Sequence, residues 1–208
     1  KLDINPYYGP AFRDQPVLAI GKVRYVGEPV AAVVAKTPRI AEEAVNLIDV
    51  EYEELDAVFD VLEAAENGAP IINEKIEPAG NFADLKNLKP KEGSNVNLHF
   101  KLRHGDIDKG FQAADRTFDN TFTTPVAVHL PMEPHVTIAD VSPDGKIDIW
   151  TASQSPSYVR SELSHVLKLP QQKIRVRVPH LGGGFGTKLY IKIEALAAVI
   201  ATMVQRKV

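Results

Sequence analysis

Eight residues near the end of the sequence, Leu181-Gly182-Gly183-Gly184-Phe185-Gly186-Thr187-Lys188, bring together four glycines, an aromatic ring and an ammonium group. Glycine has no Cβ, so it reaches left-handed backbone conformations and lets a ligand approach the main chain closely. A run of this kind can turn peptide N–H groups toward something anionic. The apolar helix predicted to follow would add the positive end of its dipole. Two common phosphate loops do not fit. A P-loop puts glycine directly before its lysine and Ser or Thr directly after, whereas Thr187 precedes Lys188 and Leu189 follows it. A dinucleotide fingerprint needs Gly-x-Gly-x-x-Gly, and Gly182, Gly184 and Gly186 fall one residue short of that frame. The plain structural use of the same glycines is tight packing of a helix on a strand.

Composition narrows the chemistry. The chain has no cysteine, which excludes disulfides, zinc ribbons, iron–sulfur ligation and a catalytic thiol within this sequence; redox work would need a bound cofactor or a partner. Its 24 basic and 27 acidic residues leave a net charge of −3 with no basic stripe, so nucleic acid is not an expected partner. A content of 44% hydrophobic and 25% charged residues is that of a globular chain able to bury a core. The first residues lack the apolar stretch of a signal peptide, which points to the cytoplasm. Tyr190 to Val204 carries Lys192 and Glu194 and is shorter than the ~20 residues of a membrane span, so it reads as a buried helix.

The elements that must hold the loop follow from pattern. The opening through Pro16 has no periodicity and reads as loop. Val30 to Ala35 is a continuous small apolar run, predicting a strand covered on both faces. Thr37 and Pro38 are the cap and first residue of a helix whose Ile40, Ala41, Ala44, Val45 and Ile48 share a face. Asp49 to Glu54 alternates as a half-exposed strand does, completing a strand–helix–strand unit. Asp60 to Glu66 predicts a short helix, and Glu77 to Asn97, rich in Pro, Gly, Lys and Asn, an extended connection. Asp106 caps a helix carrying Ile107, Phe111 and Ala114, and Arg116 to Thr124 alternates as a strand. Val136–Val141 and Lys146–Thr151 flank Ser142-Pro143-Asp144-Gly145, a hairpin signature. Ser155 and Pro156 open a helix burying Val159, Leu163, Val166 and Leu167, after which Lys173–Val178 alternates into the glycine loop. The second half therefore reads ββαβ–loop–α.

Other polar groups have plainer readings. Glu51, Glu53 and Glu54 sit at a strand end where charge is ordinarily solvated. His129, Glu133 and His135 resemble a metal triad in composition, but strand alternation does not converge them, and Glu133 is expected to hold a strand or loop by hydrogen bonds. His180 is expected to be packed or exposed. Thr187 and Lys188 can contact an anionic group or anchor the next helix, and the sequence does not choose between these.

Taken in order, these residues resemble the large, molybdenum-binding subunit of the xanthine oxidase and aldehyde oxidase family, and in particular its bacterial branch with aerobic carbon monoxide dehydrogenase. The resemblance rests on Tyr25-Val26-Gly27-Glu28-Pro29 with Val30–Ala35, Gly105-Asp106 through Asp115, Met132-Glu133-Pro134-His135, Trp150-Thr151-Ala152-Ser153-Gln154-Ser155-Pro156, and the glycine loop. It covers about residue 16 to the C-terminus and implies an α+β fold: a partial α/β hammerhead domain over residues 1–80, a linker over 81–97, and the first part of a molybdenum-cofactor-binding domain over 98–208. It also implies that the Gln154 amide donates to an oxo ligand of molybdenum. Gly183, Gly184, Phe185 and Gly186 would lie beside the metal and the pterin dithiolene, with Phe185 walling the site. The cofactor would be molybdopterin, either plain or as the cytosine dinucleotide, with no direct metal ligand in this chain.

The implied reaction is oxidative hydroxylation of a small molecule, with electrons leaving through an iron–sulfur subunit and an FAD subunit. No catalytic residue is assigned here, because the family's glutamate base would lie beyond Val208, in the rest of the large subunit; the chain alone is expected to be an inactive fragment that keeps little molybdenum. Leu189 departs from relatives that carry a glutamate after the loop lysine, so that carboxylate's role does not transfer. Two rival readings remain open at this point: a non-catalytic module that docks subunits, and a phosphate- or nucleotide-binding protein using the same loop.

Overall fold

The computed structural model describes residues 2–74, 76–79 and 90–208. Its organising element is a three-stranded sheet in the order β3-β4-β5, formed by β3 (Thr137–Val141), β4 (Ile147–Thr151) and β5 (Ile174–Arg177). β3 and β4 form the expected hairpin, in register from Thr137 opposite Thr151 to Val141 opposite Ile147. The turn is fastened by Ser142, whose N–H donates to the Lys146 carbonyl at 2.9 Å and whose carbonyl accepts from the Gly145 N–H at 2.9 Å. β4 and β5 run parallel, which requires a crossover. That crossover is α4 (Pro156–Leu167) followed by a short turn over Gln171–Lys173. The predicted ββαβ–loop–α order of the second half is therefore observed, ending in α5 (Ile193–Val204).

Both long helices pack on one face of this sheet, α5 over β3 and α4 over β5, and they touch each other. Alternation in β4 points Ile147, Ile149 and Thr151 inward. There Ile147 and Ile149 meet Val159, Leu163 and Val166 of α4 and the small Ala195, Ala198 and Ala201 of α5, forming one core. Alanines on α5 let its axis lie close to the strands. Two carboxylates enter this core with partners. Glu162 of α4 is fully buried and accepts the Gly9 N–H at 3.2 Å. Glu194 takes the Thr151 hydroxyl at 2.7 Å and the Lys192 N–H at 2.8 Å, so it ties β4 to the first turn of α5.

The opening through Pro16, expected to be plain loop, instead contains a small antiparallel pair, β1 (Tyr7–Tyr8) with β2 (Gln15–Pro16), laid against α4. The Asn5 N–H donates to the Val166 carbonyl at 2.8 Å. Glu77–Ala79, predicted to begin an extended connection, returns onto this layer: Arg13 N–H donates to Glu77 O and Ala79 N–H to Ala11 O, both at 2.8 Å. Of the expected 81–97 linker, residues 81–89 lie outside the described residues.

The middle of the chain keeps its predicted helices but not its predicted strands. α1 (Pro38–Val45) is capped by the Thr37 hydroxyl, α2 (Val61–Ala65) by Asp60 and α3 (Ile107–Ala113) by Asp106, as the cap residues indicate. Val30–Ala35, Asp49–Glu54 and Arg116–Thr124 form no strands, and Val30 and Val34 are 40% and 42% exposed rather than covered on both faces. The difference is physical: a helix closes its hydrogen bonds within itself, whereas a strand must be paired by a neighbour, and the described residues supply none. Ser155 also departs from expectation, since its side chain makes no capping bond to α4. Its N–H is instead received by the Ser153 hydroxyl at 3.1 Å.

Candidate functional site

The topology explains why distant segments meet. β4 and β5 are parallel neighbours, so the chain leaves both at the same end of the sheet, delivering Ala152-Ser153-Gln154 beside the run from Val178 into the glycine loop. β3 is antiparallel to β4, so its entry, the 131–136 segment, lies at that end too. Three segments from separate parts of the sequence thus converge outside the carboxyl ends of β4 and β5.

Gln154 and the glycine loop are in direct contact. The Gln154 Oε1 accepts the Gly186 N–H at 3.0 Å, and its side chain lies across Gly184 so closely that a Cβ there would sit 2.3 Å from Oε1. The backbone is left-handed at Gly183 (φ +91°), Phe185 (+51°) and Gly186 (+99°). At Phe185 this conformation costs about 1–2 kcal/mol relative to the ordinary helical region, so the surroundings must hold it. The Phe185 ring is 72% exposed and leans on Gly183, where an added Cβ would meet Cε2 at 3.1 Å.

The N–H ledger of the bend is informative. Gly182 donates to the Glu133 Oε2 at 2.8 Å, Gly186 to Gln154, Thr187 to the Gly184 carbonyl at 2.9 Å and Leu189 to the Gly186 carbonyl at 3.1 Å. Among the described residues nothing accepts from the N–H groups of Gly183, Gly184 and Phe185, although Gly184 is buried. Three successive donors are thus left for an external acceptor, beside a Gln154 carboxamide whose Nε2 has no partner among the described residues. The α5 dipole, expected to add to the loop directly, starts only at Ile193, beyond the turn over 185–188 and a short irregular stretch over 189–192.

Beneath the loop lies a charged anchor. Lys188 is fully buried, and its Nζ donates to the Glu133 Oε2 at 2.6 Å and to the Glu133 carbonyl at 2.8 Å. The Lys188 ammonium, and next the Gly182 N–H, hold the Glu133 carboxyl below the usual carboxylate range. The Lys188 carbonyl in turn accepts the Gln154 N–H at 2.9 Å. Of the two uses the sequence left open for Lys188, neither is met as stated: it is an anchor, but for the 131–136 segment through Glu133 rather than for the next helix. Glu133 holds the loop by hydrogen bonds as expected, but its partnership with Lys188, 55 positions away, was not visible in the sequence.

The remaining candidates fall into place around this. His135 Nε2 lies 3.1 Å from the Thr187 carbonyl, His180 is exposed, and His129 lies beside Gly186. Among the described residues no group of His, Cys, Asp and Glu could hold a metal ion, and Glu51, Glu53 and Glu54 are exposed. The loop is an open shelf. A cleft of about 380 Å³ lies elsewhere, lined by Arg13, Asp14, Arg24 and His165 among others. No helix among the described residues is long and apolar enough to cross a membrane.

Comparison with known proteins adds an independent line. Residues 88–208 match the molybdopterin cofactor-binding domain, and residues 3–56 the a/b hammerhead domain of aldehyde oxidase and xanthine dehydrogenase. The chain is 30% identical over 193 residues to the nicotinate dehydrogenase large molybdopterin subunit of Eubacterium barkeri, covering 93% of this chain and 41% of that protein. It is 31% identical over 188 residues to the nicotine 6-hydroxylase large subunit of Paenarthrobacter nicotinovorans, covering 90% of this chain and 21% of that one. Among solved structures, quinoline 2-oxidoreductase from Pseudomonas putida 86 superposes with a TM-score of 0.73 at 33% identity, over 93% of this chain and 23% of that one. Reconstituted CO dehydrogenase from Oligotropha carboxidovorans superposes with a TM-score of 0.76 at 30% identity, over 98% of this chain and 26% of that one. The chain therefore spans less than half the length of these relatives. With more than half of its residues inside the cofactor-binding match, and the hammerhead match preceding it, the chain belongs to the molybdopterin-binding subunits of the xanthine dehydrogenase and aldehyde oxidase family.

Proposed function

We propose that this chain forms one wall of the cofactor site in the molybdenum subunit of an oxidative hydroxylase. The observation that carries the reading is the row of three N–H groups at Gly183, Gly184 and Phe185, unpaired among the described residues, next to a Gln154 amide that has spent its oxygen on Gly186 and kept its nitrogen. Fixed neutral donors suit an anionic, redox-active group, because they stabilise it without adding a mobile charge. Such a cradle also excludes larger residues: a Cβ at Gly184 would displace Gln154. The residues present therefore fit a molybdopterin cofactor, plain or as the cytosine dinucleotide, held by Gln154, Gly183, Gly184, Phe185 and Gly186.

When bound, that cofactor supplies the two-electron chemistry of R–H + H₂O → R–OH + 2 e⁻ + 2 H⁺. This chain's residues orient it and wall it. Phe185 covers Gly183 with an apolar ring, and Gln154, its oxygen engaged by the Gly186 N–H, keeps its Nε2 donor available beside the loop. The proton-accepting base and the substrate pocket belong to the rest of the subunit. The electrons pass to iron–sulfur and FAD chains, in keeping with a sequence that has no cysteine of its own. We place the assembly in the cytoplasm, with a small molecule as substrate.

The test is the purified native assembly. Elemental analysis should find molybdenum, and Gln154→Ala and Phe185→Ala should collapse turnover without loss of assembly. Turnover unchanged in both variants would favour a docking module instead. Saturable nucleotide binding in equilibrium dialysis, with no molybdenum present, would favour a phosphate site.

A further inference from the structure

A fully buried lysine is expensive unless its ammonium is paired and hydrogen-bonded, and an apolar residue of the same size would fill the same space at lower cost. The residue at 188 is nevertheless a lysine, with no exposed side-chain surface and two acceptors from one residue, the Glu133 carboxylate at 2.6 Å and the Glu133 carbonyl at 2.8 Å. What the ion pair provides over a methionine is direction. The same Glu133 oxygen that meets Nζ also receives the Gly182 N–H at 2.8 Å, which pins the first glycine of the loop. From its other side Lys188 receives the Gln154 N–H at 2.9 Å and the Ser153 hydroxyl at 3.4 Å on its carbonyl, which pins the start of the Gln154 segment. Gly182 also packs closely on this anchor: a Cβ added there would lie 2.7 Å from the Glu133 Cβ, so only glycine fits.

The geometry points to a positioning pair: we propose that Lys188 and Glu133 lock the glycine loop and the Gln154 segment to each other, and so set the aim of the Gly183–Phe185 N–H groups and of the Gln154 amide. Neither side chain is offered to the cofactor. They act through the loop, and this role rests on the cofactor reading above. The left-handed Phe185 is what such a lock is needed for, since a residue in that conformation relaxes once its neighbours are freed.

The experiment uses the full-length subunit with its native partners, and compares Lys188→Met and Glu133→Gln with wild type. Both are expected to assemble. Amide exchange over residues 181–189 should accelerate tenfold or more in Lys188→Met, and by a smaller factor in Glu133→Gln, which keeps an oxygen for Gly182. In the molybdenum-loaded fraction, the Mo(V) paramagnetic resonance spectrum should shift, and cofactor affinity should fall by about 10–100-fold, the usual cost of losing an outer supporting partner. A lower melting temperature with wild-type loop exchange and a superimposable Mo(V) spectrum would overturn the proposal, leaving the pair as core packing only. Should Lys188→Met fail to assemble, Glu133→Gln decides by the same readouts. An assembly with no molybdenum at all would refute the cofactor reading, while the exchange measurement would still judge the lock.

Discussion

Gly184→Ala separates site geometry from fold stability more cleanly than any other single change. Gly184 does not occupy the left-handed region, so alanine brings no backbone strain. Its Cβ would fall 2.3 Å from Oε1, 2.5 Å from Cδ and 2.7 Å from Cγ of Gln154, all well inside the 3.4 Å at which ordinary contact begins. Gln154 is exposed and free to swing away, so the fold loses essentially one hydrogen bond, Gly186 N–H to Oε1. That costs about 0.5–1.5 kcal/mol, or a melting shift of roughly 1–6 °C for a domain of this size. The consequence for chemistry is larger, because the displaced amide no longer faces the cradle and the new methyl group occupies it. Loss of such a supporting contact typically lowers activity or cofactor affinity by about 10–100-fold. Steady-state turnover of the assembled enzyme, alongside calorimetry, reads both quantities. Turnover within twofold of wild type would refute the reasoning, as would an unfolded product.

Other substitutions test the supports. Gly182→Ala pushes against the Glu133 Cβ at 2.7 Å, an atom fixed to the backbone that cannot swing, so it should destabilise by about 1–3 kcal/mol in urea unfolding, more than Gly184→Ala. Glu194→Ala removes the acceptor of the Lys192 N–H and the nearest acceptor of the buried Thr151 hydroxyl, which keeps the Thr137 hydroxyl at 2.9 Å and the Val136 carbonyl at 3.3 Å, and should cost about 1–3 kcal/mol in the same assay. Leu163→Ala, at a fully buried site in α4, should cost about 2–5 kcal/mol. Burial, and next the positive Arg13, lower the His165 pKa below its ordinary 6.5, so the folded state favours the neutral ring. Its contribution to stability is therefore complete above pH 6.5 and is lost as pH falls through the lowered value. The urea midpoint should drop over that range in wild type, and less steeply in His165→Gln.

The parts of the fold that were legible in the sequence are those written locally. Thr37 and Asp106 announced their helices because a cap and the turn it serves lie within three residues of each other. The Ser142–Gly145 turn announced the hairpin for the same reason. Val30–Ala35 and Arg116–Thr124 carry strand composition, but a strand exists only if something pairs with it, and no periodicity reports the partner. The site divides along the same line. The glycines and Gln154 stood out by residue type, whereas the anchor joining Lys188 to Glu133 spans 55 positions and depends on three strand ends being brought to one edge. Lys188 read as an even choice because a lysine's ordinary place is the surface, and only the packed structure shows it inside.

The most direct measurement is a crystal structure of the molybdenum-loaded assembly containing this chain, reading the distances from Gln154 Nε2 and from the Gly183–Phe185 amide nitrogens to the bound cofactor. Nε2 is expected within hydrogen-bonding distance of a cofactor oxygen, with at least one of the three amides donating to the cofactor. A cofactor seated elsewhere in the subunit, with the bend facing only solvent or protein side chains, would contradict it.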